Sequence, residues 1–89
     1  MEKNNNNKPK ICVDGITRSP ELDNQISLTL AQCFSSESGK EVLRYLRSIT
    51  IELVNGANVS TDELRHIEGQ RYIVGLIENR IQHAHKVKK

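Results

Sequence analysis

From Val59 to Lys86 the chain reads "VSTDELRHIEGQRYIVGLIENRIQHAHK", the longest stretch in it with a single periodicity. Ser60 and Glu63 have the S-x-x-E spacing in which each side chain satisfies the other residue's free backbone N–H. Asp62 adds negative charge at the positive end of the helix dipole. At about 100° per residue, Ile67, Val74, Ile77 and Ile81 fall within a sector of about 80°, which predicts a core-facing stripe. Gln70 lies inside that stripe, with Leu64 and Arg71 bordering one side and Ile73 the other. Arg65, Glu68, Tyr72, Asn79 and Gln82 make the polar face. Everything else in the chain has to pack around this helix.

Two glycines, Gly69 and Gly75, interrupt the run, and each costs a helix interior about 1 kcal/mol relative to alanine. They point about 120° apart and sit at different margins of the stripe, so they form no single small-residue groove. The expectation is that another backbone approaches closely at one or both. Gln70, if buried, needs a partner, because an unpaired buried amide costs about 1–3 kcal/mol. Glu68 is within i+3 reach of Arg71, and Glu78 lies two turns beyond Arg71. These six residues, Glu68, Gly69, Gln70, Arg71, Gly75 and Glu78, are the candidate interface.

Two shorter helices precede the long one. In "SPELDNQISLTLAQCF", Ser19 can cap, Pro20 suits the first helical position, and Glu21 and Asp23 favour the N-terminal end. Leu22, Ile26, Leu30, Cys33 and Phe34 make its apolar stripe, and its end is expected near Phe34 or Ser35. In "SSESGKEVLRYLRSITIELVNG", Ser38 and Glu41 have capping-box spacing. Val42, Tyr45, Leu46, Ile49 and Leu53 line one face, and the helix is expected to run until Asn55–Gly56 stops it. The reading is an all-α, three-helix domain: a helical hairpin over residues 38–81 with an N-terminal helix packed against it.

Residues 1–18 read as a flexible N-terminal arm, since "MEKNNNNKPK" is too polar to offset its ordering entropy. Its short "ICV" patch is followed by the turn signal "DG". Residues 19–85 then form one helical domain and 86–89 a basic tail. With 89 residues, one phenylalanine, two tyrosines and no tryptophan, the core is modest and built from Leu, Ile and Val. Domains this small are marginal alone, which favours self-association.

The candidate chemistry is thin. His66, His83 and His85 lack local chelating spacing, and HExxH is absent. "SSESGK" lacks the first glycine of a phosphate loop, and Glu41 follows its lysine. Cys12 and Cys33 form no metal or redox motif and read as free thiols. No catalytic site, metal or cofactor is therefore expected, and no membrane span. The net charge of +2 gives no strong nucleic-acid signature. Lys40, Arg44 and Arg47 form one basic patch and Lys86, Lys88 and Lys89 another. These support DNA binding as an alternative.

In "FSSESGKEVLRYLRSITIE" and "LRHIEGQRYIVGLIENRI" the chain resembles a family of small helical proteins of tailed phages and prophages, grouped as a Bordetella-phage-like domain. The likeness lies in Phe34, Ser38–Gly39 and the following "VLxxLR", then Leu64, Arg65, the run Glu68-Gly69-Gln70-Arg71, and Val74. It covers about residues 34–81. The resemblance implies an α-helical, non-enzymatic phage protein, in the virion or host cytoplasm. Its implied partners are other phage structural proteins or further copies of itself.

Overall fold

The computed structural model describes residues 8–88. It is all-α apart from one small hairpin: β1 (Lys10–Ile11), β2 (Thr17–Arg18), α1 (Pro20–Cys33), α2 (Glu37–Ser48) and α3 (Thr61–Val87). Residues 1–7 and Lys89, parts of the expected arm and basic tail, lie outside the described residues.

The segment expected to be a flexible arm carries the hairpin. β1 and β2 pair antiparallel, Lys10 with Arg18 and Ile11 with Thr17. The Asp14–Gly15 signal makes the turn: the Asp14 carboxylate accepts from the Ile16 N–H at 3.0 Å, and Gly15 takes φ +82°, where a side chain would be strained. A two-residue ladder does not hold itself in water. Contacts from Asp14 to the helices hold this one, as described below.

The caps of α1 and α3 follow from local chemistry. Ser19 accepts from Leu22 N at 3.2 Å ahead of Pro20. Ser60 and Glu63 close a reciprocal capping box, both bonds at 3.1 Å. The second helix departs from expectation at both ends. Its N-cap is Ser36, not Ser38, accepting from Gly39 N at 3.0 Å. The α1–α2 turn is so tight that a Cβ on Gly39 would stand 2.8 Å from Phe34 Cα. The helix also stops at Ser48 rather than continuing to Asn55. Thr50 Oγ1 donates to Leu46 O and Ser48 Oγ to Tyr45 O, both at 2.6 Å. Side-chain hydroxyls in the β-branched "SITI" stretch thus occupy carbonyls of the last turn.

α3 is the middle helix. Contacts to α1 ascend together (Asp23 with Arg80, Ser27 with His83), so those two run in the same direction. Contacts to α2 run oppositely (Arg47 with Glu78, Thr50 with Arg71), as in a hairpin. α1 packs against α3 far more extensively than α2 does. The α3 residues meeting α1 (Arg80, His83, Ala84) and those meeting α2 (Arg71, Val74, Glu78) lie on nearly opposite sides of the helix. The result is a flat layer of 57 × 32 × 13 Å with a radius of gyration of 16.3 Å. A compact chain of this length would have about 12 Å. A layer little more than one helix thick buries little. Among the described residues, Val74 and Ala84 are the buried apolar ones.

Candidate interaction surface

The best-buried side chains are polar. Arg80 is 2% exposed and Ser27 is fully buried. One Arg80 nitrogen donates to the Asp23 carboxylate, to Asp23 O at 3.0 Å and to Ser27 Oγ at 3.0 Å; the other reaches Asp14 Oδ2 at 3.2 Å. Asp14 also pairs with Arg18 at 2.7 Å, and Tyr72 donates to Asp14 O at 3.3 Å. One guanidinium therefore joins the hairpin turn, α1 and α3. Backbone hydrogen bonding from Ile16, with the Arg18 and Arg80 guanidiniums, lowers the Asp14 carboxyl to about 2, against the pull of its burial. The same partnership raises Arg18.

Ser27 Oγ lies 2.8 Å from His83 Nδ1, and His83 Nε2 is 3.8 Å from Asp23. A serine, a histidine and an aspartate brought together suggest a nucleophile. Here the hydroxyl is sealed from solvent and already accepts from Arg80, so no substrate carbonyl can approach it. The grouping is a structural lock. In the sequence Asp14 reads as a turn residue and Asp23 as a helix-dipole charge, and none of Asp14, Asp23, Ser27 and Arg80 is a candidate site residue. The legible signal was Arg80 itself, framed by Ile73, Leu76, Ile77, Ala84 and Val87 at helical spacings.

The six candidate interface residues separate. Arg71 donates to Thr50 O at 2.9 Å and Leu53 O at 2.6 Å, holding the chain where it leaves α2, with Glu68 at 3.6 Å. Glu78 accepts from Arg47 at 2.6 Å, and Arg47 also meets Glu52 at 3.2 Å. These contacts, Glu78 first and Glu52 second, raise Arg47. Arg71 and Glu78 thus clamp α2 to α3. Gln70 is exposed rather than buried, and it meets His66 at 3.2 Å. No other backbone approaches Gly69 or Gly75: among the described residues, nothing outside their own turn of helix lies within 4 Å of a Cβ built on either. The close approach is at Gly39 instead, because the interhelix turn, not the long helix, is where backbones meet.

The basic patches separate too. Arg44 pairs with Glu41 at 2.7 Å and Arg47 is held by Glu78 and Glu52, so in that patch Lys40 alone has no ion pair among the described residues. Lys86 and Lys88 are exposed at the end of α3. No helix of the described residues is long and apolar enough to cross a membrane.

What remains is one face of the layer. On α2 and at its C-cap, Val42, Tyr45 and Ile49 are exposed; on α3, Ile73 is 55% exposed. Ile49, Gln70 and Ile73 share a hollow of about 370 Å³ with Leu46, Thr50 and Val74. Farther along α3 a second hollow of about 500 Å³ is lined by Val59, Asp62, Glu63, His66 and Ile67. His66, Gln70, Ile73 and Ile77 follow one another at spacings of four, three and four, a single row along α3. The other side of α3 carries Glu68, Tyr72, Asn79, Gln82 and Lys86, with the hairpin lying near it through Tyr72 and Val13. The apolar α2/α3 face has no cover among the described residues, and the hairpin on the other side exposes Ile11, Val13 and Ile16 as well.

A family model, that of the Bbp19-like phage proteins, matches residues 30–87. The chain belongs to this family. The matched segment runs from the end of α1 through α3 and contains the whole apolar α2/α3 face. Asp14, Asp23 and Ser27, which hold Arg80 of this Bbp19-like chain, lie before it. Neither a curated protein nor a solved structure shows a significant match.

Proposed function

We propose that the chain is a non-enzymatic interaction protein that serves a phage as a component of particle assembly or genome packaging. The observation that carries this reading is the uncovered apolar face of α2 and α3, set on a layer too thin to bury it. Exposed apolar patches of this continuity in a soluble domain mark places where another macromolecule sits. The hollow that Ile49 and Ile73 share with Leu46 and Val74 is mainly apolar, without the convergent polar groups a reacting substrate needs. The nucleophile-like grouping at Ser27 is sealed.

DNA binding is the alternative, through Lys40, Arg44, Arg47, Lys86, Lys88 and Lys89. It is weakened by the engagement of Arg44 and Arg47 with carboxylates of the same chain. The assembly reading is tested by deleting the gene in the phage that carries it. Particles should then fail to complete or to fill with DNA, and complementation with Tyr45→Glu or Ile73→Glu should not restore them. Full particle yield without the gene removes the reading.

A further inference from the structure

We infer that the apolar α2/α3 face docks a second copy of this chain, with the two-fold axis passing near Gln70 and Ile73. The inference rests on the interaction reading above and names the occupant of its surface.

Size is the first argument. The whole layer, α1 and the hairpin included, extends 57 Å by 32 Å, so its outline has room for the ~800 Å² that each partner contributes to a stable interface. Within that outline Val42, Tyr45, Ile49 and Ile73 are solvent-exposed, whereas the buried apolar residues among those described are Val74 and Ala84. A second layer laid over the first supplies the missing half of a core. It does so without any change within the layer.

Charge is the second. A two-fold interface sets each residue against its own surroundings, so a charged centre would repel itself. The centre of this face is neutral: Val42, Tyr45, Ile49, Gln70 and Ile73. The charged groups beside it on α2 and the following turn are paired within the chain, Glu41 with Arg44 and Arg47 with both Glu52 and Glu78, and His66 in the α3 row meets Gln70. Such a face accepts its own image and offers little to a polyanion.

Gln70 is the third. It sits in the row His66–Gln70–Ile73–Ile77, whose alternating four and three spacing is that of a helix-pairing seam. A single amide within such a seam fixes register at some cost in stability. Its Nε2 already meets His66 at 3.2 Å, which leaves Oε1 to take a partner from the other copy. An amide on the axis also meets its own symmetry mate.

Sedimentation equilibrium from low to high micromolar concentration reads the state directly. The chain should dimerise, and Ile73→Glu and Tyr45→Glu should each raise the dissociation constant roughly tenfold or more. Both sites are exposed, so circular dichroism should show the helices intact. Gln82→Glu, on the opposite side of α3, should leave dimerisation unchanged. In a chain with Cys12 and Cys33 changed to serine, Gln70→Cys should form a disulfide-linked dimer under mild oxidation and Gln82→Cys should not. A chain that stays monomeric at high micromolar concentration overturns the inference, as does a dimer indifferent to both glutamate variants. If the chain is monomeric and Ile73→Glu still abolishes particle formation, the assembly reading stands and another protein is the occupant. If neither property responds, both readings fall.

Discussion

Arg80 of α3 and Asp23 of α1 are buried against each other, the guanidinium bonding both the carboxylate and, at 3.0 Å, the backbone carbonyl of Asp23. Asp14 at 3.2 Å completes the arginine's environment from the hairpin turn. In a layer with few buried apolar side chains, this ion cluster takes the place that leucines would occupy in a thicker domain. Its charges tolerate burial because each is paired and hydrogen-bonded; removing one strands the others.

Arg80→Ala should therefore destabilise the chain by about 3–5 kcal/mol, the usual cost of leaving partners of a buried ion pair uncompensated. Arg80→Lys should recover only part of this, since an ammonium cannot span Asp23, Ser27 and Asp14 in one plane. Urea unfolding monitored by circular dichroism reads both. A loss under about 1 kcal/mol for Arg80→Ala, the range of a surface pair, would show that the cluster holds nothing.

Asp14 predicts the acid limb of stability. Its carboxyl is lowered from 3.8 to about 2 by the Ile16 N–H and by Arg18 and Arg80. A group with a depressed folded-state value binds its proton more tightly when unfolded. It stabilises the fold fully above the unfolded value and loses that contribution as pH falls from about 4 towards 2. The stability difference between wild type and Asp14→Asn should be constant near neutrality and shrink across that window. A difference that is flat down to pH 2 would remove Asp14 as the source.

The helices were legible because their signals are local: Ser19–Pro20, the Ser60–Glu63 box, and the i, i+4 apolar rows lie within a few residues of one another. The errors come from elsewhere in the chain. Whether Ser36 or Ser38 caps α2 depends on how close Gly39 comes to Phe34, a matter of the turn. Asp23 reads in sequence as a helix-dipole charge, and nothing local says that Arg80 will meet it. The arm looks unstructured because the contact that fixes Asp14 comes from a residue at the far end of the chain. Gln70 reads as a core residue because an apolar stripe implies a cover; the helix pattern is right, but the layer leaves that side open.

The glycines give a prediction opposite to the one their helix suggested. With open space where each Cβ would stand, Gly69→Ala and Gly75→Ala should each stabilise the chain by about 0.5–1 kcal/mol through helix propensity and unfolded-state entropy. Gly39→Ala should instead cost about 1–3 kcal/mol, because its methyl would press into the backbone at Phe34, which cannot rotate away. Thermal melts of the three variants rank them. A Gly39→Ala chain as stable as wild type would mean that the α1–α2 turn opens readily.

Duplex DNA separates the two functional readings. Arg44 and Arg47 are held by Glu41, Glu52 and Glu78, whereas Lys86 and Lys88 stand exposed at the end of α3. Any affinity seen at low salt should therefore be carried by the α3 end. It should fall steeply as salt rises, since each phosphate contact releases counterions, and little should remain at physiological ionic strength. Lys86→Gln with Lys88→Gln should flatten the salt slope, while Arg44→Gln should leave it unchanged. Fluorescence anisotropy on a labelled duplex reads all three chains. Tight binding that survives physiological salt and depends on Arg44 would favour the DNA-binding alternative, because the carboxylates now paired with α2 would then have to release it to the phosphates.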